Sequence, residues 1–184
     1  MAIADPLVMP LARELLECYQ EAMADNPHPP ANVGLRPGTT VDFLLSSLGD
    51  DECCNGLGWV RPDSFYPSSN VAGPFPAQDE APTKQGVLAW AITLELGAVR
   101  CAPTPGAESI PSEEEWDDTT QRVMDDAAAM RRAICCFIER KQGRKQLVLP
   151  GIWQPVQVQG GCVGGILPVV VRGPVCDCVE PTSS

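Results

Sequence analysis

DDTTQRVMDDAAAMRRAICCFIERKQG, residues 117–143, is the clearest amphipathic helix in the chain. Its apolar side chains recur at spacings of three and four, which is the pattern of one stripe along an α-helix. Asp117 or Asp118 is expected to cap the first turn, and Gly143 is expected to end the helix. The stripe has to be buried, and the flanking segments indicate that a sheet covers it. Its members are Val123, Ala127, Met130, Ile134 and Phe137.

The best predicted strand precedes this helix and covers residues 86–100. Large apolar side chains alternate there with small or polar ones, which is the period-2 pattern of a strand. Shorter strands are predicted after the helix, around residues 146–149, 156–159 and 163–172. Pro168 in the last of them is expected to force an edge position or a bend, because proline donates no backbone hydrogen bond.

The remaining segments complete the predicted order of elements. Residues 10–23 are predicted to form the first helix. Residues 26–85 are rich in Pro and Gly and are expected to be a long irregular insertion. Short ordered pieces are plausible in it at residues 40–48 and 56–60, and residues 175–184 are expected to be a C-terminal tail.

These elements predict a single domain over residues 1–184 of the α/β class. In more detail, they predict an α+β two-layer sandwich, with two helices packed on one face of a mixed or antiparallel sheet. The length is sufficient for a real hydrophobic core. A long loop excursion between the first helix and the long strand completes the prediction.

The charge balance excludes some classes of function. The formal net charge is −11, whereas proteins that grip nucleic acid need clusters of Lys and Arg. No membrane partner is expected, since the longest apolar run, residues 166–171, is far shorter than the roughly twenty residues that a spanning helix needs. The first ten residues lack the features of an export signal, so the chain is expected to be cytosolic when made.

Nine cysteines are present, and without an export signal their default state is the free thiol. Cys135 and Cys136 are expected to be small core residues of the helix. No cysteine pair has the spacing of a zinc knuckle, and His28 is the only histidine. We therefore predict no metal site and no cofactor. The favoured candidates for any disulfide are Cys53, Cys54, Cys176 and Cys178.

No group of residues predicts catalysis. A Cys/His or Ser/His pair would depend on His28, and no G-x-S-x-G segment occurs. Asp125 and Asp126 are adjacent on a helix, so their side chains diverge by about 100°. The glycine-rich segment 160–165 neither opens a helix nor precedes Lys-Ser/Thr, so it does not match a phosphate-binding loop. The chain is predicted to be no enzyme and to have no catalytic residue.

Binding to other proteins is the remaining predicted role. Aromatic residues in loops are frequent anchors at interfaces, and several lie among the Pro and Gly of the insertion. The alternative is that they pack back on the domain. The basic end of the long helix is left for solvent or for a neighbouring subunit. The interface candidates are therefore Trp59, Phe65, Tyr66, Phe75, Arg140 and Lys141.

Several segments together resemble the tail terminator family, among the neck and tail-completion proteins of siphophages of actinobacterial type. The resemblance lies in the order of elements and the sequence texture, and it covers most of the chain outside residues 26–85. The segments are PLARELLECYQEAM (10–23), GVLAWAITLELGAVR (86–100), TTQRVMDDAAAMRRAICCFIERK (119–141), GIWQPVQVQGG (151–161) and GILPVVVRGPVCDC (165–178).

The resemblance implies a non-enzymatic structural protein that forms a hexameric ring, terminates the tail tube and joins the tail to the head. The implied partners are further copies of the chain, the tail tube protein and a head-side connector or stopper protein. Genomic DNA would pass through the lumen without specific binding, helped by an acidic lumen that repels phosphates. The long strand would extend into a neighbouring subunit's sheet. The implied location is the tail and neck of the virion, after assembly in the host bacterial cytoplasm.

Alternatives remain open from the sequence. The family often has more strands between the two helices than the one predicted for this chain, and the insertion is long. These departures leave room for a head-to-tail stopper or another connector ring. A generic soluble interaction module, or a thiol or metal-binding protein that uses the cysteine pairs, are alternatives from other classes.

Overall fold

The computed structural model describes residues 5–37, 56–68, 89–103, 110–142, 146–159 and 161–173. In these ranges the helices are α1 (Val8–Ala24) and α2 (Glu113–Gln142). The strands are β1 (Asn32–Leu35), β2 (Leu57–Ser68), β3 (Ala89–Cys101), β4 (Val148–Pro150), β5 (Gln154–Gln159) and β6 (Cys162–Gly173). No helix in these ranges is long and apolar enough to cross a membrane.

The strands form one mixed sheet in the order β1-β2-β3-β6, with β4 and β5 both paired to the outer side of β6. β1 is parallel to β2, and the other pairs are antiparallel. Both helices pack against one face of this sheet through a shared apolar core. The predicted α+β two-layer architecture is therefore confirmed.

Two of these strands lie in the region that the sequence predicts to be irregular. β2 is 12 residues long and pairs with β3 along most of its length. The prediction of an irregular insertion is therefore wrong for β1 and for most of β2, whose first residues confirm the short ordered piece expected at residues 56–60. The pattern was hidden because β2 contains Pro62 and Pro67, and because a bulge at Asp63 shifts its alternation by one residue. The pieces predicted at residues 40–48 and the tail at 175–184 lie outside the described residues.

The helix α2 buries the whole stripe that the sequence predicts, from Val123 to Phe137. It begins earlier than expected, however, so the prediction of a cap at Asp117 or Asp118 is wrong. Ser112 Oγ accepts the N–H of Glu115, and the Glu115 carboxylate accepts the N–H of Ser112. This reciprocal capping box satisfies two free donors and places the cap at Ser112, five residues before Asp117.

The core lies between the helices and alternate residues of the central strands. Ile92, Leu94 and Leu96 of β3 face the helices and are fully buried. The residues paired with these on the neighbouring strands lie on the same face of the sheet, and α1 and α2 cover this face. These further core residues are Leu11, Leu15, Tyr19, Met23, Val60, Met130, Ile134, Phe137, Leu167, Val169 and Val171.

Pro168 does not lie in an edge strand, so the edge position, one of the two expected alternatives, is wrong. β6 has β3 on one side and β4 with β5 on the other. The Pro168 carbonyl accepts the N–H of Gly151 at 2.8 Å, which shows that its backbone polar groups face the β4 and β5 side. There β4 pairs up to Val169 and β5 begins opposite Ile166. Pro168 therefore lies between the residues of β6 that pair with β4 and those that pair with β5. Its missing N–H removes no hydrogen bond from either pairing.

Phe137→Ala tests the packing of α2 on the sheet. It is expected to lower the free energy of unfolding by about 3–5 kcal/mol, because the fully buried ring would leave a cavity. Met124→Ala is the matched control on the same helix, where a 42% exposed side chain should cost under about 1 kcal/mol. Urea unfolding followed by circular dichroism measures both, and equal losses would contradict this packing.

Candidate interaction surface

The residues predicted for an interface do not lie together, and Trp59 is not exposed at all. Its side chain is 1% accessible, so its predicted role is wrong. The ring lies over Gly97 on the sheet face opposite the helices, where a Cβ at position 97 would come within 2.1 Å of it. The missing side chain of Gly97 makes the space that the indole fills.

Phe65 is the predicted aromatic residue that is exposed, with 62% of its surface accessible. It lies on β2 beyond the end of β1 and contacts Trp90 edge to face, with ring centroids 5.9 Å apart. Tyr66 follows it on the opposite face of the strand and is half-buried, and this burial raises the pKa of its hydroxyl. Phe75 lies outside the described residues. Phe65 and Tyr66 therefore remain predictions, on opposite faces of β2.

Of the two predicted basic residues at the end of α2, Lys141 turns inward and Arg140 stays at the surface. Lys141 is 2% exposed, forms an ion pair with Glu14 of α1 and lies 5.2 Å from the ring centroid of Phe137. Its predicted interface role is therefore wrong, because it falls one helical turn after Phe137 on the buried stripe. Arg140 is partly exposed but is engaged with Glu17 at 3.1 Å and Glu21 at 2.8 Å.

A buried ion pair connects α2 to β3. Arg100 Nε donates to Asp126 Oδ2 at 2.8 Å, and Arg100 Nη2 donates to Asp126 Oδ1 at 2.6 Å. The two side chains are 7% and 3% exposed. Asn26 donates a further bond to Asp126, and Arg100 also donates to the His28 carbonyl. One carboxylate therefore joins β3, α2 and the segment that follows α1.

Tyr19 lies beside this pair. Its hydroxyl donates to the Gly97 carbonyl at 3.0 Å and is fully buried. Burial and then the negative charge of Asp126 raise the pKa of Tyr19 well above its usual value, while the charge of Arg100 opposes the shift. The hydroxyl is therefore held in its neutral form.

A second buried pair lies on the other face of the sheet. Arg61 donates to both oxygens of Glu95 at 2.7 and 2.8 Å, and the Trp59 indole donates to the same carboxylate at 3.3 Å. The hydrogen bond to Glu95 is the main reason that the pKa of Arg61 is raised, and burial opposes it. The carboxylates of Glu95 and Asp126 thus each form a buried ion pair with an arginine, and these pairs connect elements of the fold.

The expectation of free thiols is wrong for four of the five cysteines that the structure describes. Cys18 and Cys136 form a disulfide between α1 and α2. Cys101 and Cys162 are also disulfide-bonded, and Cys135 is free and exposed. The sequence concealed the first bond because 118 residues separate its cysteines, and only helix packing brings their Cα atoms to 5.9 Å. The favoured candidates lie outside the described residues: Cys53, Cys54, Cys176 and Cys178.

The outer edges of the sheet carry prolines at positions that point away from it. The Val60 carbonyl faces β1, so Pro62 two residues later also directs its backbone outward. After the bulge, Ser64 pairs inward with Thr93, which places Pro67 outward again. At the opposite edge, Pro150 and Pro155 pair with residues of β6 whose hydrogen bonds go to β3, so they too face outward. Proline has no N–H to offer there, which hinders the addition of another strand.

Large apolar side chains are nevertheless exposed at both edges. Phe65 lies at the β2 edge, and Ile152, which is 61% exposed, lies between β4 and β5 at the other. The outward face of α2 near its start is acidic instead, with exposed Glu113, Glu114 and Asp117. Among the described residues, two of the five exposed large apolar side chains thus lie at opposite sheet edges, and the start of α2 exposes acidic residues beside Trp116.

The cavity between the end of β3 and the start of α2, of about 300 Å³, offers no catalytic arrangement. Its arginines are engaged, Arg100 with Asp126 and Arg122 with Asp118. Its remaining acidic residue, Glu115, caps α2. In the part of the chain that the structure describes, no cluster of His, Cys, Asp and Glu could hold a metal ion.

Comparison with known proteins does not assign the chain to a family. A scan against protein-family models finds no match, and a search of curated proteins finds no significant relative. The function therefore has to be inferred from the geometry of the chain and from the resemblance in its sequence.

Arg100→Met tests the buried network. It is expected to cost about 3–5 kcal/mol of unfolding free energy, because it leaves the Asp126 carboxylate buried without its cation. Arg132→Met is the control, since Arg132 pairs with Asp25 at 2.8 Å but both side chains are exposed, and its loss should cost at most about 1 kcal/mol. Urea unfolding at neutral pH measures both, and a small loss for Arg100→Met would contradict the network.

The raised pKa of Tyr19 predicts a loss of stability in alkali. Above about pH 10 the unfolded chain releases the Tyr19 proton while the folded protein retains it, so the free energy of unfolding falls as pH rises. Tyr19→Phe should flatten this decline, leaving the smaller part due to Tyr66. Urea midpoints of both proteins between about pH 8 and 11 measure the effect. Identical slopes would contradict it.

Proposed function

We propose that this chain is a non-enzymatic structural subunit of a phage neck, of the tail terminator type. In this proposal, copies of the chain form a ring, expected to be hexameric, that ends the tail tube and joins the tail to the head-side connector. The partners are the tail tube protein and the connector, and the location is the virion. In the described part of the chain, three strands lie between α1 and α2, which brings the element order closer to the family than the sequence alone indicated.

The position of the two exposed apolar edge residues carries this proposal. A ring is closed by head-to-tail contacts, in which one side of a subunit meets the opposite side of the next. Such a subunit needs two different contact sides. Phe65 and Ile152 supply them, since they lie at opposite edges of one sheet, and three strand spacings of about 4.8 Å separate these edges.

The contacts of the ring are made by side chains rather than by a continuous sheet. The outward prolines hinder strand addition along β2 beyond the end of β1, and along β4 and β5 at the opposite edge; they are Pro62, Pro67, Pro150 and Pro155. The expectation that the long strand extends into a neighbour's sheet therefore finds no support in β3, which is the central strand with β2 and β6 on its two sides. Apolar contact between the Phe65 and Ile152 edges does not need free backbone donors.

The acidic start of α2 supports the passage of DNA through such a ring. Its exposed residues Glu113, Glu114 and Asp117 add to a chain with a net charge of −11. In the proposed ring this helix end lies toward the lumen, where the carboxylates repel DNA phosphates and keep the genome from adhering.

The oligomeric state tests the proposal. Size-exclusion chromatography with light scattering, with and without purified tail tubes, is expected to find a ring of several copies. Phe65→Asp and Ile152→Asp should each reduce it to monomers, because a charge at either edge opposes apolar contact. Met124→Asp is the control, since Met124 is an exposed apolar residue of α2 rather than of an edge strand.

Circular dichroism confirms that each variant is folded before it is compared. A wild-type chain that stays monomeric at high concentration and on tail tubes would contradict the ring. A ring that survives both edge substitutions would contradict the proposed contacts.

A further inference from the structure

A disulfide crosses the middle of the contact between the two helices. Cys18 lies one turn from Glu14 and one turn from Glu21 on α1, and Cys136 lies one turn before Arg140 on α2. The bond therefore sits among the ion pairs that already join the helices.

These non-covalent contacts hold the helices together without the bond. Lys141 pairs with Glu14, and Arg140 pairs with Glu17 and Glu21. Apolar side chains of both helices also share one core above the sheet. The fold should consequently be the same whether the two sulfurs are bonded or reduced.

We propose that Cys18 and Cys136 form a redox-dependent covalent link between α1 and α2, open under reducing conditions and closed under oxidising conditions in an unchanged fold. Closing the link adds stability mainly by restricting the unfolded chain across its 118-residue separation. The same protein thus has a more easily unfolded reduced form and a more resistant oxidised form.

Closure by a low-molecular-weight disulfide starts at Cys136, which is partly exposed whereas Cys18 is buried. The Cys136 thiolate attacks one sulfur of the small disulfide, forms a mixed disulfide and releases one thiolate. The Cys18 thiolate then attacks the Cys136 sulfur, closes the protein disulfide and releases the second thiolate. The two protein thiols lose two protons and two electrons, and the small disulfide is reduced to two thiols.

The test equilibrates the folded chain in mixtures of reduced and oxidised glutathione, then quenches with acid, alkylates free thiols and maps peptides by mass spectrometry. At the glutathione ratio of a bacterial cytosol, Cys18 and Cys136 are expected to be alkylated. In oxidised glutathione they should appear as one linked peptide pair, with the circular dichroism spectrum unchanged. The melting temperature should rise by roughly 5–15 °C on closure.

Adjacent cysteines provide a matched control. Cys136→Ser should lose the redox-dependent rise in melting temperature that is due to this link. Cys135→Ser should keep it, because Cys135 is the free, exposed neighbour. Comparison of the two variants also separates this link from the bonds of Cys101 and Cys162, which both variants retain.

Three results would contradict the proposed redox-dependent link between Cys18 and Cys136. The bond could stay closed at the cytosolic glutathione ratio, which would make it a permanent structural disulfide. Its opening could coincide with loss of the helical signal, which would show that the fold requires it. Cys18 could be found joined to Cys135 instead.

A consequence that rests on the proposed function can be tested separately. A phage subunit is made in a reducing cytoplasm and released into an oxidising medium, so the link should be open in infected cells and closed in released particles. Alkylation inside intact cells, compared with purified particles, measures this. Absence of the chain from particles would overturn the proposed function, whereas the glutathione titration decides the link by itself.

Discussion

The Asp126 carboxylate is the constraint on which the arrangement of the layers depends. A charge without access to water is costly unless cations and donors surround it. Asp126 meets this condition with Arg100 from β3 and Asn26 from the segment after α1. These partners are far apart in sequence, so they can be satisfied together only when α2 lies at one position along β3. The apolar stripe brings the helix to the sheet, and the carboxylate fixes its place there.

The same helix is held a second time near its other end. Lys141 lies about 22 Å along α2 from Asp126 and pairs with Glu14 of α1. Between the two ion pairs, the Cys18–Cys136 bond joins the helices covalently. The two helices are therefore connected at several points, and the exposed apolar residues include those at the sheet edges. In the proposed ring, these two edges would make the head-to-tail contacts.

The candidate contact residues could be predicted only in part. Phe65 is exposed as expected, because β2 extends past its short neighbour β1. Trp59 was an equivalent candidate in the sequence, but Gly97 on β3 leaves room for its indole on the sheet face opposite the helices. Lys141 was expected to face solvent because basic residues at a helix end usually do. Its spacing of four residues from Phe137 places it on the buried stripe instead. Nothing in the sequence indicated that Ile152 is exposed, since its exposure depends on where β4 ends and β5 begins.

The sequence by itself determined the two helices, the long central strand and the two-layer class, because apolar spacing of three to four or of two is a local property of the chain. Tertiary structure alone decided the pairing of Cys18 with Cys136, the engagement of Arg100 with Asp126 and the inclusion of β2 in the sheet. Each of these depends on groups that are distant in sequence. The sequence around a charge, a sulfur or a backbone donor does not indicate which distant group it will bind, because packing alone brings the two within bonding distance.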